Sequence, residues 1–365
     1  MWCREMERAR RKKSVVRFLS ILLLTGIVLV IFLLGKIPAV AEYVFARGIT
    51  RGASWLFSRI TNFIPVSFYE WTALALVFFA VGFVIRLIVW LVRRRFSRAG
   101  IALYRLAVAA LCILLAFGVL YAPLYQRRSA SDVLGLYETE MTEEKVFAAA
   151  EYYVARLNET SRKLERDEAG NILPAESFEK VAEIIGTEFS RVNDGYFAGY
   201  EVRPKKVLLS EAMSYLGITG IYFPFYAEAN VNTVIPVSEL PVTMAHEMAH
   251  AKGVSRENEA NIVAYVLCIR SDNLYLNYSG LMNAVSVLFG ALDEEKSAEI
   301  YETISPEVLR EYANVNAHYQ KYEGPIDRIS SFFNNLFLKA NGVPGGTKSY
   351  GETAAGLVSL YETLQ

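Results

Sequence analysis

Two histidines with a glutamate between them carry the chemistry expected of this chain. The run His246-Glu247-Met248-Ala249-His250 is followed by Gly253, Glu257 and Glu259, and the chain holds only three histidines. On a helix, residues i and i+4 share a face, so both imidazoles can reach one metal ion. Glu247 stands one residue round from His246, placed to act on an activated water without being a ligand. This is the donor set of a zinc-dependent peptidase. Zinc is the expected cofactor, His246 and His250 are two of its ligands, and Glu247 is the general base.

A surface helix with two solvated histidines would carry the same letters, but the context argues against it. Pro241 suits a first helical turn, where its missing N–H costs nothing, and Leu240 before it is steered to extended backbone. The helix can run through His250 and stop at Gly253, a C′ glycine. A second helix can start at once with Ser255 as N-cap and Glu259 in its first turn. Residues 260–269 are then apolar almost all round, which implies burial. A carboxylate at the mouth of a buried helix needs a cation beside it. Glu259 is therefore the expected third ligand, with Glu257 as the alternative. The two point about 200° apart on a helix, so only one can face the histidines. A third histidine six residues after His250, as in metzincins, is excluded because Arg256 stands there.

Three stretches, PFYAEANVN (224–232), LPVTMAHEMAHAKGVSRENEAN (240–261) and FLKANGVPGGTKSYG (337–351), give the chain a resemblance to a bacterial family, domain of unknown function 3810. The resemblance extends over most of the chain. It implies a multi-pass membrane protein with a gluzincin-like HExxH site, whose functional positions fall here on His246, Glu247, His250 and Glu259. It implies no substrate.

The elements that must position this site follow an apolar amino-terminal third. Residues 18–35, 71–92 and 101–125 are each long and apolar enough to cross a bilayer. Arg86 and Arg105 lie near span ends, where their side chains can snorkel. Trp71, Trp90, Tyr121 and Tyr125 fall where interfacial aromatics belong. The densest basic clusters are the amino-terminal arm (Arg4, Arg8, Arg10, Arg11, Lys12, Lys13) and the loop Arg93, Arg94, Arg95, Arg98. Two crossings separate them, so both are expected in the cytoplasm and everything after the third span outside it. The first span lacks a cleavage site after Lys36-Ile37-Pro38 and reads as a retained anchor in the plasma (cytoplasmic) membrane. The chain's 365 residues carry a net charge of zero, so nothing global points to nucleic acid. Cys3, Cys112 and Cys268 are not placed to pair.

The expected organisation is mainly α: a membrane anchor over 1–125, a linker over 126–141, and a mostly helical zincin-like domain with a small sheet over 142–365. Helical periodicity covers residues 142–166 and 176–192, the latter closed by Asn193-Asp194-Gly195. Between Tyr200 and Ile235, β-branched and aromatic residues suggest short strands, and by resemblance 221–232 is the candidate edge for binding an extended substrate. Residues 274–292 read as a core helix, because Asn277, Ser279, Asn283 and Ser286 would be costly facing lipid. The tail 308–365 reads as helical with a glycine-rich break at 342–346. His318, Tyr319 and Tyr350 are candidate groups to polarise a scissile carbonyl.

Two functions fit. One is a membrane-anchored zinc metallopeptidase that cleaves a peptide or protein substrate. The other is a membrane sensor or scaffold with a structural or inactive zinc site. An intramembrane protease is excluded because the motif lies far beyond the last span.

Overall fold

A computed structural model describes residues 2–137, 140–192, 195–341 and 350–365, with side chains from residue 12 onward except 333, 337, 338, 340 and 350. The side chains of Arg4, Arg8, Arg10 and Arg11 and the break at 342–346 therefore lie outside the described residues, as do Asn193 and Asp194. The chain is mostly helical, with one three-stranded sheet, and divides into two compact units. One is Met1–Ala53 with Tyr69–Arg127; the other is Ser54–Phe68 with Arg128–Gln365.

The first unit contains the helices long and apolar enough to span a membrane: Lys12–Gly35 within α1 (Trp2–Gly35), then, past α2 (Arg51–Thr61), α3 (Phe68–Val92) and α4 (Phe96–Leu120). The third span begins five residues before the expected start and ends at Leu120, because Pro123 turns the chain into a 3₁₀ segment, Ala122–Gln126. Between α1 and α2, Val40–Thr50 winds as a π-helix. Helix α1 packs on α4 where Gly118 leaves room for Phe32; a Cβ there would stand 2.7 Å from the ring. Glu42 is buried and accepts from Arg127 (3.0 Å) and Arg47 (2.7 Å), so no charge is left unpaired. Most other side chains of the spans are apolar and exposed within the chain, as lipid-facing residues must be.

The second unit begins its main run with α5 (Ala130–Val133) and α6 (Glu143–Ser161). Thr142 caps α6 by accepting from the Lys145 N–H, and Val146, Ala149, Ala150, Tyr153, Val154 and Leu157 form its buried stripe. Ser177 caps α7 (Phe178–Arg191) in the same way. A sheet of order β1-β3-β2 follows, with β1 (Lys205–Lys206) parallel to β3 (Glu228–Val231) and β2 (Gly220–Phe223) antiparallel to it; α8 (Ser210–Tyr215) lies between β1 and β2. Of the run 221–232 expected at the edge, only its start is an edge strand. The Glu228–Val231 half is the buried central strand.

Helices α9 (Leu240–Ala251), α10 (Glu257–Arg270) and α11 (Leu274–Phe289) form the core, and α6 packs on α11. Gly280 sets the α10–α11 spacing, since a Cβ there would lie 2.8 Å from Cys268. Helix α11 is buried along its length as expected, and Asn277 donates to the Ile269 carbonyl at 2.6 Å. After α12 (Glu294–Tyr301), α13 (Pro306–Gln320) and α14 (Pro325–Ala340), the terminal α15 (Tyr350–Leu364) lays Gly356 against Ile262 of α10.

The stretch 54–68, between the first two spans, is stitched into the sheet. Lys205 Nζ donates to the carbonyls of Thr61 (2.6 Å) and Ile64 (2.5 Å). Ser67 donates to Asn230 Oδ1 at 2.6 Å, and Asn62 donates to the Glu201 carbonyl at 3.0 Å.

Candidate metal centre

Helix α9 starts with Pro241 in its first turn and ends where Gly253 adopts φ +102°, a left-handed conformation that suits glycine. That reversal has a chemical consequence. It brings the Val254 N–H onto the Ala249 carbonyl (3.1 Å) and turns the Val254 carbonyl back to His250 Nδ1 at 2.7 Å. Nδ1–H is the donor in that bond, so His250 presents Nε2 to the site. One turn earlier, His246 Nε2 lies 3.0 Å from His250 Nε2, as i and i+4 spacing requires.

The third group is Glu257. Its Oε2 stands 3.2 Å from His246 Nε2 and 3.6 Å from His250 Nε2, and these three residues form a set of ligand atoms that can hold one metal ion. For nitrogen and oxygen ligands at about 2.0–2.1 Å, a tetrahedral site has ligand–ligand edges of about 3.3 Å. The three edges seen here, 3.0, 3.2 and 3.6 Å, straddle that length. The donors therefore fit one face of a tetrahedron. His250 is buried and Glu257 keeps 36 % of its side chain exposed, so the set is closed at the helix and open at the carboxylate.

Glu259, the expected third ligand, is elsewhere. It accepts from Arg256 at 2.9 Å and from the Ala130 N–H at 3.2 Å. The cation demanded by a buried carboxylate is present, but it is a guanidinium. The second helix also starts later than expected: its N-cap is Arg256, and the Ser255 hydroxyl is buried without a partner. Glu257 thereby becomes the first helical residue and swings to the histidines.

Glu247 is buried, and its Oε2 has no hydrogen-bond partner. Burial pushes its carboxyl up to about 7, against the pull of the two histidines. Burial also disfavours a charged His250, yet the neighbouring Glu257 carboxylate outweighs it and lifts the imidazole to about 9. Glu257 in turn, although burial opposes it, is held well below the usual carboxylate range by the same histidines. The Glu257 carboxylate thus favours positive charge at this point of the cluster. Gly220, at the start of β2, leaves space for Glu247: a Cβ there would lie 2.6 Å from Glu247 Cγ and Oε1. Tyr222 stacks on His250 with ring centroids 6.5 Å apart; burial pushes its hydroxyl up to about 12, with nearby Ser54 opposing.

A family model described as protein of unknown function DUF3810 matches residues 45–358. The chain belongs to that family. The DUF3810 match takes in the second and third spans, the loop 54–68 and the whole His246–Glu257 cluster. No curated protein and no solved structure matches the chain.

The other candidates are not brought to the cluster. His318 lines a cavity of about 300 Å³ with Asp167, Ser238, Glu311 and Asn314, and none of the three cluster residues lines it. Burial raises the Tyr319 hydroxyl, which neighbours Glu239 rather than Glu247. The side chain of Tyr350 lies outside the described residues. Sequence reasoning missed Gly220, Tyr222 and Ser54, which meet the site only through the fold.

Proposed function

We propose that this DUF3810 protein is a membrane-anchored zinc metallopeptidase whose site faces away from the cytoplasm. The observation that carries this reading is a three-donor triangle open on one side, with a buried, unpartnered carboxylate beside it. His246, His250 and Glu257 would hold the ion. When bound, zinc supplies a Lewis acid and lowers the pKa of water. Glu247 accepts the proton as that water attacks the amide carbonyl, and returns it to the nitrogen as the C–N bond breaks. An unpartnered Oε2 leaves this carboxylate a lone pair for the task.

Strand β2 supplies the wall along which an extended peptide would lie. Asn232 donates to the Thr219 carbonyl at 2.9 Å. By the alternation of an antiparallel ladder, Gly220 then turns its own N–H and C=O away from β3, beside Glu247.

The orientation rests on the basic arm and the 93–98 loop. It is supported by the unit that 54–68 forms with 128–365. With three crossings, the loop after the first span and the segment after the third emerge on the same side.

The test is Glu247→Gln in the full chain. It should retain the metal while cleavage sites seen in membrane proteomes with the wild type disappear, a loss of about 10²–10⁴-fold in rate. Undiminished cleavage would refute the peptidase; full complementation of a deletion by this variant would favour the sensor.

A further inference from the structure

Two helices, α2 from Ser54 onward and α14, are inside out. In α2, the buried face is Ser54, Ser58 and Thr61, each 5 % exposed or less. Its hydroxyls are absorbed locally, Ser58 donating to the Trp55 carbonyl (3.1 Å) and Thr61 to that of Phe57 (3.1 Å). Trp55, Leu56, Ile60 and, just beyond the helix, Phe63 are each 45 % exposed or more. Arg59 lies among them with its guanidinium 4.4 Å over the Trp55 ring. In α14, Ile326, Ile329, Phe332 and Leu336 recur at spacings of three and four and are each 55 % exposed or more. Among the described side chains of that helix, the less exposed ones, Asp327, Ser330 and Asn335, are polar. A helix that meets water on its outer face is patterned the opposite way. An outer face of Trp, Leu, Ile and Phe with one snorkelling arginine fits the lipid–water boundary.

We propose that α2 and the α14 face lie in the bilayer interface and hold the metal cluster at the lipid surface. The occupant is lipid rather than a second chain because α2 ends only seven residues before the span Phe68–Val92, so a bilayer is always within its reach. Both helices also meet β2 or the turn before it. Ser54 of α2 stands close to the Tyr222 hydroxyl, and Tyr222 stacks on His250. Asp327 of α14 rests on Gly217, where a Cβ would stand 2.6 Å from its Oδ1, three residues before the Gly220 that makes room for Glu247. The edge strand is therefore tied to two lipid-facing helices. If the peptidase reading holds, the segments within reach are those of polypeptides lying at the membrane surface; the lipid contact itself does not depend on that reading.

The test uses the full chain in nanodiscs of phosphatidylcholine and phosphatidylglycerol that contain a phospholipid with a diazirine in its acyl chain. After irradiation, mass spectrometry should find lipid adducts on 55–63 and 326–336 as well as on the three spans, and none on the buried helix 274–289. Adducts confined to the spans would overturn the proposal, and adducts on 55–63 without 326–336 would overturn the assignment of α14. Leu56→Asp with Ile60→Asp should lower the 55–63 adducts severalfold while the span adducts stay constant. Unchanged adducts in that variant would also overturn it, since labelling would then reflect capture by any exposed segment.

Discussion

The sharpest test of the metal centre sets two neighbouring carboxylates against each other. Glu257 and Glu259 are two residues apart, and only Glu257 reaches the histidines, at 3.2 and 3.6 Å. A structural zinc site of four protein ligands is worth about 10–16 kcal/mol, so one ligand contributes about 3–4 kcal/mol, or roughly 10²–10³-fold in Kd. Glu257→Gln should weaken metal binding by about that factor. Glu259→Gln should leave affinity nearly unchanged, because its carbonyl can still accept from the Ala130 N–H now 3.2 Å away. What it loses is the ionic part of the Arg256 contact, about 1–3 kcal/mol of fold stability with an arginine partly open to water. The assay is chelator competition on purified full-length protein, with metal content by mass spectrometry and thermal unfolding in parallel. If Glu259→Gln loses the metal and Glu257→Gln keeps it, the geometry assigned to the cluster is wrong.

Gly220→Ala places a methyl 2.6 Å from the Glu247 carboxylate and must displace it. A shift of about 1 Å in a reacting group lowers rate by about 10²-fold, so cleavage should fall by that order with metal content intact; wild-type rates would refute the role of Gly220. Burial lifts the Glu239 carboxyl to about 7, with Asn283 opposing and Glu311 assisting. The folded chain therefore binds that proton more tightly than the unfolded one. Its contribution is present below about pH 4.5 and lost as pH rises through 7, about 1–2 kcal/mol for a partly open side chain. Glu239→Gln should raise Tm at pH 8 and leave it unchanged at pH 4.5, and a lower Tm at pH 8 would exclude the assignment. Reporter fusions after Arg98 and after Arg128 should give opposite readings, only the second active outside the cytoplasm; equal readings would overturn the three-crossing orientation.

The local grammar of the site helix was legible because it rests on backbone chemistry. Pro241 suits a first helical turn and Gly253 can end a helix in any context, and both do so here, although Leu240 is already helical (φ −58°, ψ −47°) rather than extended. The three spans were legible because lipid imposes length and apolarity on each helix by itself. The choice of third ligand was not. The argument that a buried carboxylate needs a cation holds, but it cannot say which cation, and Arg256 stood three residues away. The helix start was equally beyond reach, since a Ser255 N-cap and an Arg256 N-cap differ by one residue yet rotate different carboxylates to the histidines. Tyr222 and Ser54 are 168 positions apart in the sequence, and no local pattern announces their contact.

That pair of glutamates also explains why α10 carries both. Glu257 faces the two histidines, while Glu259, turned the other way, accepts from Ala130 at the start of α5, two residues after the second unit resumes at Arg128. On the opposite wall, the sheet receives 54–68 through Lys205 and Asn230. Each wall of the cluster thus binds one of the two segments of this unit that adjoin the membrane spans in sequence. Lys205 is buried, and its ammonium is held by two carbonyls of 54–68; burial, with Arg203 assisting and Glu228 opposing, pulls its pKa down. Without that segment a buried charge would lose both acceptors, a penalty of about 3–5 kcal/mol against a total stability of about 5–15. The donor triangle of His246, His250 and Glu257 and the loop between the first two spans are therefore parts of one folding unit.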